Sequence, residues 1–123
     1  MPRRLHTLYL ALTDLIDTHH PAESAVEELF FARNARTALA VGQARGVVLL
    51  ALTAAGLPVY EYTPLQVKQA ITSYGRAPKS QVQGMVKVLL GLNAVPEPDD
   101  AADALAVAIC HLQTIAVRQK LGT

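Results

Sequence analysis

The chain has 123 residues, which is enough for one domain with a single core. Its net charge of +1 gives little long-range attraction for any partner, and its uninterrupted apolar runs, such as residues 47–52, are too short to span a bilayer. Asp14 and Asp17 interrupt the only early apolar stretch that resembles a signal peptide, and Cys110, the single cysteine, has no internal disulfide partner. We therefore predict one cytoplasmic domain over residues 1–123, without a membrane span.

The first segment predicts an amphipathic helix of about four turns. Its apolar residues recur at helical spacing, at Leu5, Leu8, Leu12, Leu15 and Ile16. His19 and His20 precede Pro21 and are expected to close this helix, because cationic residues are favourable at a helix C-terminus. A metal-ligand role for the two histidines is the less favoured interpretation.

A short strand is predicted next, over residues 24–26, with Glu27 at its carboxyl end, where open α/β sheets carry their chemistry. A polar loop over residues 32–36 should follow, and then a long helix over residues 37–55 that Gly56 ends. Because this helix is apolar on nearly all sides and carries the small residues Gly42, Ala44 and Gly46, we expect it to be buried on two faces.

A second strand, residues 59–62, precedes Thr63 and Pro64, which are typical of the cap and first residue of a helix. Alternating strands and helices predict an α/β fold with parallel strands flanked by helices. Two strands alone do not make a stable sheet, so further strands are expected to be missing from this sequence.

The segment between Tyr62 and Pro96 contains no Asp or Glu but has four cations, Lys68, Arg76, Lys79 and Lys87. A loop over residues 73–80 offers backbone and hydroxyl groups beside Arg76 and Lys79, which predicts phosphate contacts. A solvated loop with scattered cations is the alternative. The following helix should end at Gly91 and bury one apolar stripe, Val82, Met85, Val86, Leu89 and Leu90.

Three carboxylates, Asp99, Asp100 and Asp103, crowd the start of the last helix. Asp100 and Asp103 are three positions apart, so they share a helix face with Cβ atoms about 5–6 Å apart, and two hard oxygen ligands on one face suit Mg²⁺ or Mn²⁺. The alanines that follow should let this helix lie close to a sheet. The alternative is a well-capped helix, in which the aspartates serve only as an N-cap and as partners of the helix dipole.

Five motifs in order carry a family resemblance: residues 25–31 with Asn34, residues 42–46, residues 66–69, residues 79–86 and residues 100–106. Together they resemble the RuvC family of Holliday-junction resolvases, over the chain from Leu5 to His111. The resemblance implies a ribonuclease H-like fold and a symmetric dimer. It also implies a metal-dependent endonuclease that makes paired nicks in four-way DNA junctions during recombination and repair.

The same resemblance implies roles for individual residues. The metal-binding carboxylates, expected to hold two Mg²⁺ or Mn²⁺ ions per active site, are Glu27, Asp100 and Asp103. Lys79 joins them as a catalytic residue, and the implied DNA contacts are Phe30, Lys68, Arg76 and Lys79, with Arg76 assigned by position only. The helix that contains Gly42 and Gly46 resembles the dimer contact, and branch-migration motor proteins are implied partners.

One departure from the family pattern lies at the N-terminus. Family members begin with a strand that carries another catalytic Asp followed by Pro-Gly, and that strand and its two antiparallel neighbours are absent from these residues. We therefore expect a truncated ribonuclease H-like domain that cleaves weakly or not at all and partly retains DNA binding. A non-cleaving branched-DNA-binding module is a second hypothesis. A ribonuclease H-like nuclease acting on RNA is a third, which the matches at Phe30 and Lys68 disfavour.

Overall fold

The computed structural model describes residues 1–28 and 34–122. Within these ranges the chain forms five helices and two strands: α1 Pro2–His19, β1 Ser24–Glu27, α2 Ala35–Ala54, β2 Val59–Tyr62, α3 Pro64–Thr72, α4 Lys79–Leu90 and α5 Asp99–Lys120. The strands β1 and β2 pair in a parallel sheet. The prediction of an α/β fold with parallel strands is therefore confirmed.

The residues group into two compact units. The first contains Met1–Ser24 and the described part of residues 30–60, and in it α1 packs against α2. As predicted, α1 ends at His19, with His20 in the left-handed conformation at φ 48°. The core of this unit is small, since its buried apolar residues among those described are Ala51 and Leu52 of α2. The prediction of one domain over residues 1–123 stays a prediction.

Two expectations about α2 are wrong. The helix begins at Ala35, because the Asn34 side chain accepts a hydrogen bond of 2.9 Å from the Thr37 N–H and so caps it two residues earlier than expected. The loop predicted over residues 32–36 therefore extends no further than Asn34, and residues 32 and 33 lie outside the described ranges. Within a single chain, burial on two faces is also wrong, since Leu39 and Leu50 are 63% and 61% exposed while α1 covers another part of the helix.

Two helices, α2 and α5, are long and apolar enough to span a membrane by length and composition. The predicted absence of a membrane span was based on the length of uninterrupted apolar runs. Small and polar residues interrupt those runs in both helices. Core helices of soluble proteins pass the same length and composition test. The absence of a membrane span stays a prediction.

The second unit contains residues 25–28 and 61–122, and its core forms where α3, α4 and α5 pack together. Apolar side chains from each helix are buried there: Val67, Ile71, Val82, Val86, Val107 and Ile109. Ala102 and Ala106 of α5 are each 1% exposed, so the small side chains do allow close packing, and the neighbours in contact are α3 and α4. Full burial of a valine such as Val86 contributes about 1.5–2 kcal/mol to folding.

The predicted stripe of α4 is only partly buried. Val82 and Val86 are in the core, Met85 is half-buried, and Leu89 and Leu90 are 46% and 43% exposed. The helix ends before Gly91 as predicted, with Gly91 at φ 66°, and its last turn extends beyond the contact that buries Val82 and Val86. At the other end α4 begins at Lys79, so the predicted loop over residues 73–80 stops at Pro78.

Candidate active site

Glu27 is the last residue of β1, as predicted, and its side chain is half-buried. The neighbouring Glu28 N–H donates a hydrogen bond of 2.7 Å to the Tyr62 carbonyl oxygen, which fixes this end of β1 against β2. Burial raises the pKa of Glu27 above its ordinary value of 4.5, and the charge of Asp103 raises it further, while Lys68 and Lys79 act in the opposite direction. Four of the predicted site residues are thus close enough to interact electrostatically.

Asp103 lies one turn into α5, and the helix starts at Asp99 as expected. The N-cap residue is Pro98, which has no side-chain acceptor, so Asp99 and Asp100 are the first two helical residues. The alternative in which an aspartate caps this helix is therefore wrong. Their carboxylates still stabilise the positive end of the helix dipole, by about 0.3–1 kcal/mol each.

Lys79 is the first residue of α4 and forms ion pairs with α5. Its Nζ atom lies 3.5 Å from Oδ2 of Asp103 and 3.8 Å from Oδ2 of Asp99. The side chains are about half exposed, so these pairs contribute little to stability, about 0–1 kcal/mol. A cation at a helix N-terminus is moreover disfavoured by the helix dipole. Stability therefore does not explain the position of Lys79, whereas an anionic ligand would.

Lys68 is half-buried on α3, whose start is defined by a capping box. The Thr63 hydroxyl accepts a bond of 3.1 Å from the Gln66 N–H, and Oε1 of Gln66 accepts one of 2.8 Å from the Thr63 N–H. Because this box fixes the first turn, it also fixes the face on which Lys68 lies. Arg76 is exposed in the loop that joins α3 to α4, and Phe30 lies outside the described residues.

The donor chemistry of Glu27 and Asp103 fits a hard divalent cation. Two carboxylates from different elements lie close enough for one to raise the pKa of the other, and a bound cation would relieve that repulsion. Within residues 1–28 and 34–122, no three His, Cys, Asp or Glu side chains are grouped closely enough to hold a metal ion. The three-carboxylate site of Glu27, Asp100 and Asp103 stays a prediction.

A buried polar pair beside this site was not predicted. The Tyr62 hydroxyl and Nδ1 of His111 are hydrogen-bonded at 2.5 Å, and the two ring centroids are 5.7 Å apart. A histidine within the apolar part of a helix is a visible signal in the sequence. Its partner, however, is 49 residues away, so only the tertiary structure identifies the pair.

Comparisons with known proteins point to one family. A family model described as "Crossover junction endodeoxyribonuclease RuvC" matches residues 1–111. A protein of that name from Desulfitobacterium hafniense is 59% identical over 122 residues, which cover 99% of this chain and 74% of the relative. Another from Rubrobacter xylanophilus is 66% identical over 111 residues, which cover 90% of this chain and 62% of that relative.

Solved structures give the same result. T. thermophilus RuvC in complex with Holliday junction substrate matches with a TM-score of 0.84 and 43% identity, over 89% of this chain and 67% of that chain. The Thermus thermophilus RuvC structure matches with a TM-score of 0.83 and 41% identity, over 98% of this chain and 70% of that chain. The predicted ribonuclease H-like fold is therefore confirmed.

Proposed function

Because the chain belongs to the RuvC family of crossover junction endodeoxyribonucleases, we propose that it resolves Holliday junctions by cutting DNA during recombination and repair. The observation that carries this proposal is the electrostatic proximity of Glu27 to Asp103, Lys68 and Lys79. Carboxylates that can hold cations, next to lysines that can neutralise a phosphate, form the combination that phosphodiester cleavage needs. The neighbour solved with Holliday junction substrate supports branched DNA as the ligand.

The finer proposal is that Glu27, Asp100 and Asp103 hold two Mg²⁺ or Mn²⁺ ions per active site. When bound, such ions lower the pKa of a water molecule and stabilise both the attacking and the leaving oxygen of the phosphodiester. The raised pKa of Glu27 supports this, because burial and the charge of Asp103 both disfavour its ionised carboxylate, which a bound cation would stabilise.

The lysines have a separate task. Lys79 forms exposed ion pairs with Asp99 and Asp103, and such pairs can exchange partners at little cost when a phosphate arrives. We propose that Lys79 then stabilises charge on the scissile phosphate, that Lys68 acts beside it, and that Phe30 and Arg76 contact the DNA around the crossover.

A homodimer through α2 completes the proposal. Leu39, Gly42, Gly46 and Leu50 follow one another at helical spacing and are all exposed. A Cβ atom built at Gly42 or Gly46 would meet nothing within 4 Å among the described residues, so a second helix could approach this face closely. Two copies related by a two-fold axis would present two sites to a two-fold junction. Branch-migration motor proteins remain proposed partners by resemblance. The cytoplasm is the proposed location of the protein.

The proposal is tested with labelled four-way junction, linear duplex and structured RNA at one fixed salt concentration, with Mg²⁺, Mn²⁺ or a chelator. We expect metal-dependent paired nicks in the junction alone, and loss of nicking in Asp103→Asn with binding retained. Glu27, Asp100 and Asp103 are three of the four ligands that the resemblance implies, so nicking by residues 1–123 should be slow.

Junction binding without nicks at any metal concentration would favour the alternative of a non-cleaving binding module. Preferential cleavage of RNA would contradict the proposed substrate.

A further inference from the structure

Tyr62 and His111 form a hydrogen bond inside the second unit, where water has little access. Each residue is 5% exposed, and His111 is the one buried residue with a polar or charged side chain, tyrosine aside, in the described ranges. A buried hydrogen bond strongly constrains the separation of the groups it joins, because breaking it leaves a donor or acceptor without water to replace the partner. The pair is therefore suited to holding two elements at a fixed distance.

The bond joins β2 to α5, which carries Asp103, and β2 is in turn paired with β1, which carries Glu27. The Tyr62 carbonyl oxygen accepts the Glu28 N–H at 2.7 Å, so Tyr62 is bonded to the residue next to Glu27. Its hydroxyl is bonded to His111 on α5, the helix that carries Asp103. Tyr62 thus connects the end of β1 to α5 through its own backbone and side chain.

The geometry of a helix transmits this constraint. His111 follows Asp103 by about two turns, or roughly 12 Å along a rigid α-helix. Next to it, burial raises the pKa of the Cys110 thiol, the Thr114 hydrogen bond lowers it, and the charge of Glu27 raises it again. This part of α5 is therefore also within electrostatic reach of Glu27. Cys110 also donates a hydrogen bond of 3.7 Å from its sulfur to the Gln66 carbonyl oxygen of α3.

We propose that Tyr62 and His111 are positioning residues, whose hydrogen bond holds Asp103 beside Glu27 in the arrangement that binds the divalent cation. This inference rests on the proposed function, since it concerns the same carboxylates. Tyr62 and His111 are not among the implied metal ligands. Their proposed role is to fix the separation between Glu27 and Asp103, which lie on different elements.

The test compares variants of the full 123-residue chain by Mn²⁺ binding, measured by calorimetry and by electron paramagnetic resonance without DNA. Tyr62→Phe removes only the hydroxyl, and His111→Leu removes the ring nitrogens. His111→Asn keeps a polar atom near the position of Nδ1. We expect the first two variants to weaken Mn²⁺ binding about 10-fold, as loss of contacts behind metal ligands commonly does, and His111→Asn to recover most of it.

Matched controls separate positioning from general destabilisation. Tyr9→Phe removes a tyrosine hydroxyl from α1 and should leave Mn²⁺ affinity unchanged. The double variant Tyr62→Phe/His111→Leu should bind Mn²⁺ no more weakly than either single variant, because both act through one bond. All affinities are compared at a temperature where circular dichroism shows each variant folded, and His111→Asn provides the comparison if either single variant fails to fold.

The outcomes distinguish this inference from the proposed function. If the parent binds Mn²⁺ and Tyr62→Phe or His111→Leu binds it equally well, the positioning role is wrong and the nuclease proposal stands. A drop that His111→Asn does not recover, or that adds up in the double variant, also overturns the role. If the parent itself neither binds Mn²⁺ nor cuts junctions, both proposals fail together.

Discussion

The Glu27 carboxyl is half-buried at the end of β1, near the carboxylate of Asp103, so its ionised form is disfavoured for two reasons. Both raise its pKa, and the charges of Lys68 and Lys79 offset them only in part. A side chain selected for stability alone would not be acidic at this position. The residue is better explained by a ligand that supplies positive charge.

Stability should depend on pH through Glu27. Below its ordinary pKa of 4.5 the carboxyl is protonated in both the folded and the unfolded chain. As the pH rises through the raised pKa of the folded state, the folded chain holds its proton longer than the unfolded chain, so stability falls. We expect Glu27→Gln to raise the thermal midpoint by about 2 °C or more at pH 7, with no gain near pH 4.

Thermal melts of the parent and of Glu27→Gln at a series of pH values measure this difference. Asp17→Asn, an exposed change on α1, is the control and should show no such pH-dependent gain. A Glu27→Gln variant that loses stability at neutral pH would contradict the account of this carboxyl.

Lys79→Gln should act on Glu27 from a distance. Since the Lys79 charge lowers the pKa of Glu27, its removal should raise that pKa further. Because its ion pairs are exposed, we expect stability to change by only about 0.5 kcal/mol. A titration of the Glu27 carboxyl carbon by NMR measures the shift, and Lys87→Gln, further along α4, is the matched control. An unchanged or lower Glu27 pKa in Lys79→Gln would show that the two charges do not interact.

For single residues, the sequence predicts where the acidic residues lie along the chain but not which side chains surround them. The positions of Glu27 at the end of a strand and of Asp103 in the first turns of a helix are local properties, and both are confirmed. The bond between Tyr62 and His111 joins residues that are distant along the chain, and no periodicity relates them. Phe30 and the proposed ligand set remain predictions.

Among the elements, α3 has the best-defined start. Thr63 and Gln66 bond each other's backbone N–H groups, and Pro64 has the backbone angle that a first helical residue needs. Thr63 and Pro64 were predicted as the start from residue type alone, because capping is local chemistry. This helix carries Val67 and Ile71 into the core and Lys68 toward Glu27.

Loss of the cap should be measurable. We expect Thr63→Ala to lower the free energy of unfolding by about 1 kcal/mol, because the Gln66 N–H loses its side-chain acceptor. Chemical denaturation with unchanged m-value would measure it. Thr53→Ala, an exposed threonine within α2, is the control and should cost nothing. An equal loss in both variants would show that the effect is not due to the cap.

Helix boundaries and helix burial differ in how far they can be predicted. Boundaries depend on a few neighbouring residues, and the error at α2 came from one unrecognised cap, Asn34. Burial depends on which elements are present to pack. The exposed Leu89 and Leu90 of α4 and the exposed face of α2 are apolar, and residue type alone does not distinguish an apolar core residue from an apolar residue that awaits a partner.

For the molecule as a whole, the exposed face of α2 predicts self-association. Leu39 and Leu50 border the glycines of this face, and an apolar surface of this kind is stable when a second copy covers it. We expect the chain to sediment as a dimer at micromolar concentration, and Leu39→Glu to shift it to a monomer without unfolding it. Leu10→Glu, at an exposed leucine of α1, should leave the dimer intact. Sedimentation velocity measures all three, and a monomeric parent would contradict the proposed dimer.

Because β1 pairs with β2, the chain should respond differently to deletion and to insertion of one residue in β1. Ser24 and Pro58 are bonded 34 positions apart, and Glu28 and Tyr62 keep the same offset at the other end of the ladder. If Ser24 keeps its bond to Pro58, deleting one residue between Ser24 and Glu27 moves Glu28 to the ladder position of Glu27, so an acid is retained there. Inserting one residue moves Val26 to the ladder position of Glu27 and removes the carboxylate. Deleting one residue from β1 should therefore preserve the carboxylate at this position, and inserting one should not.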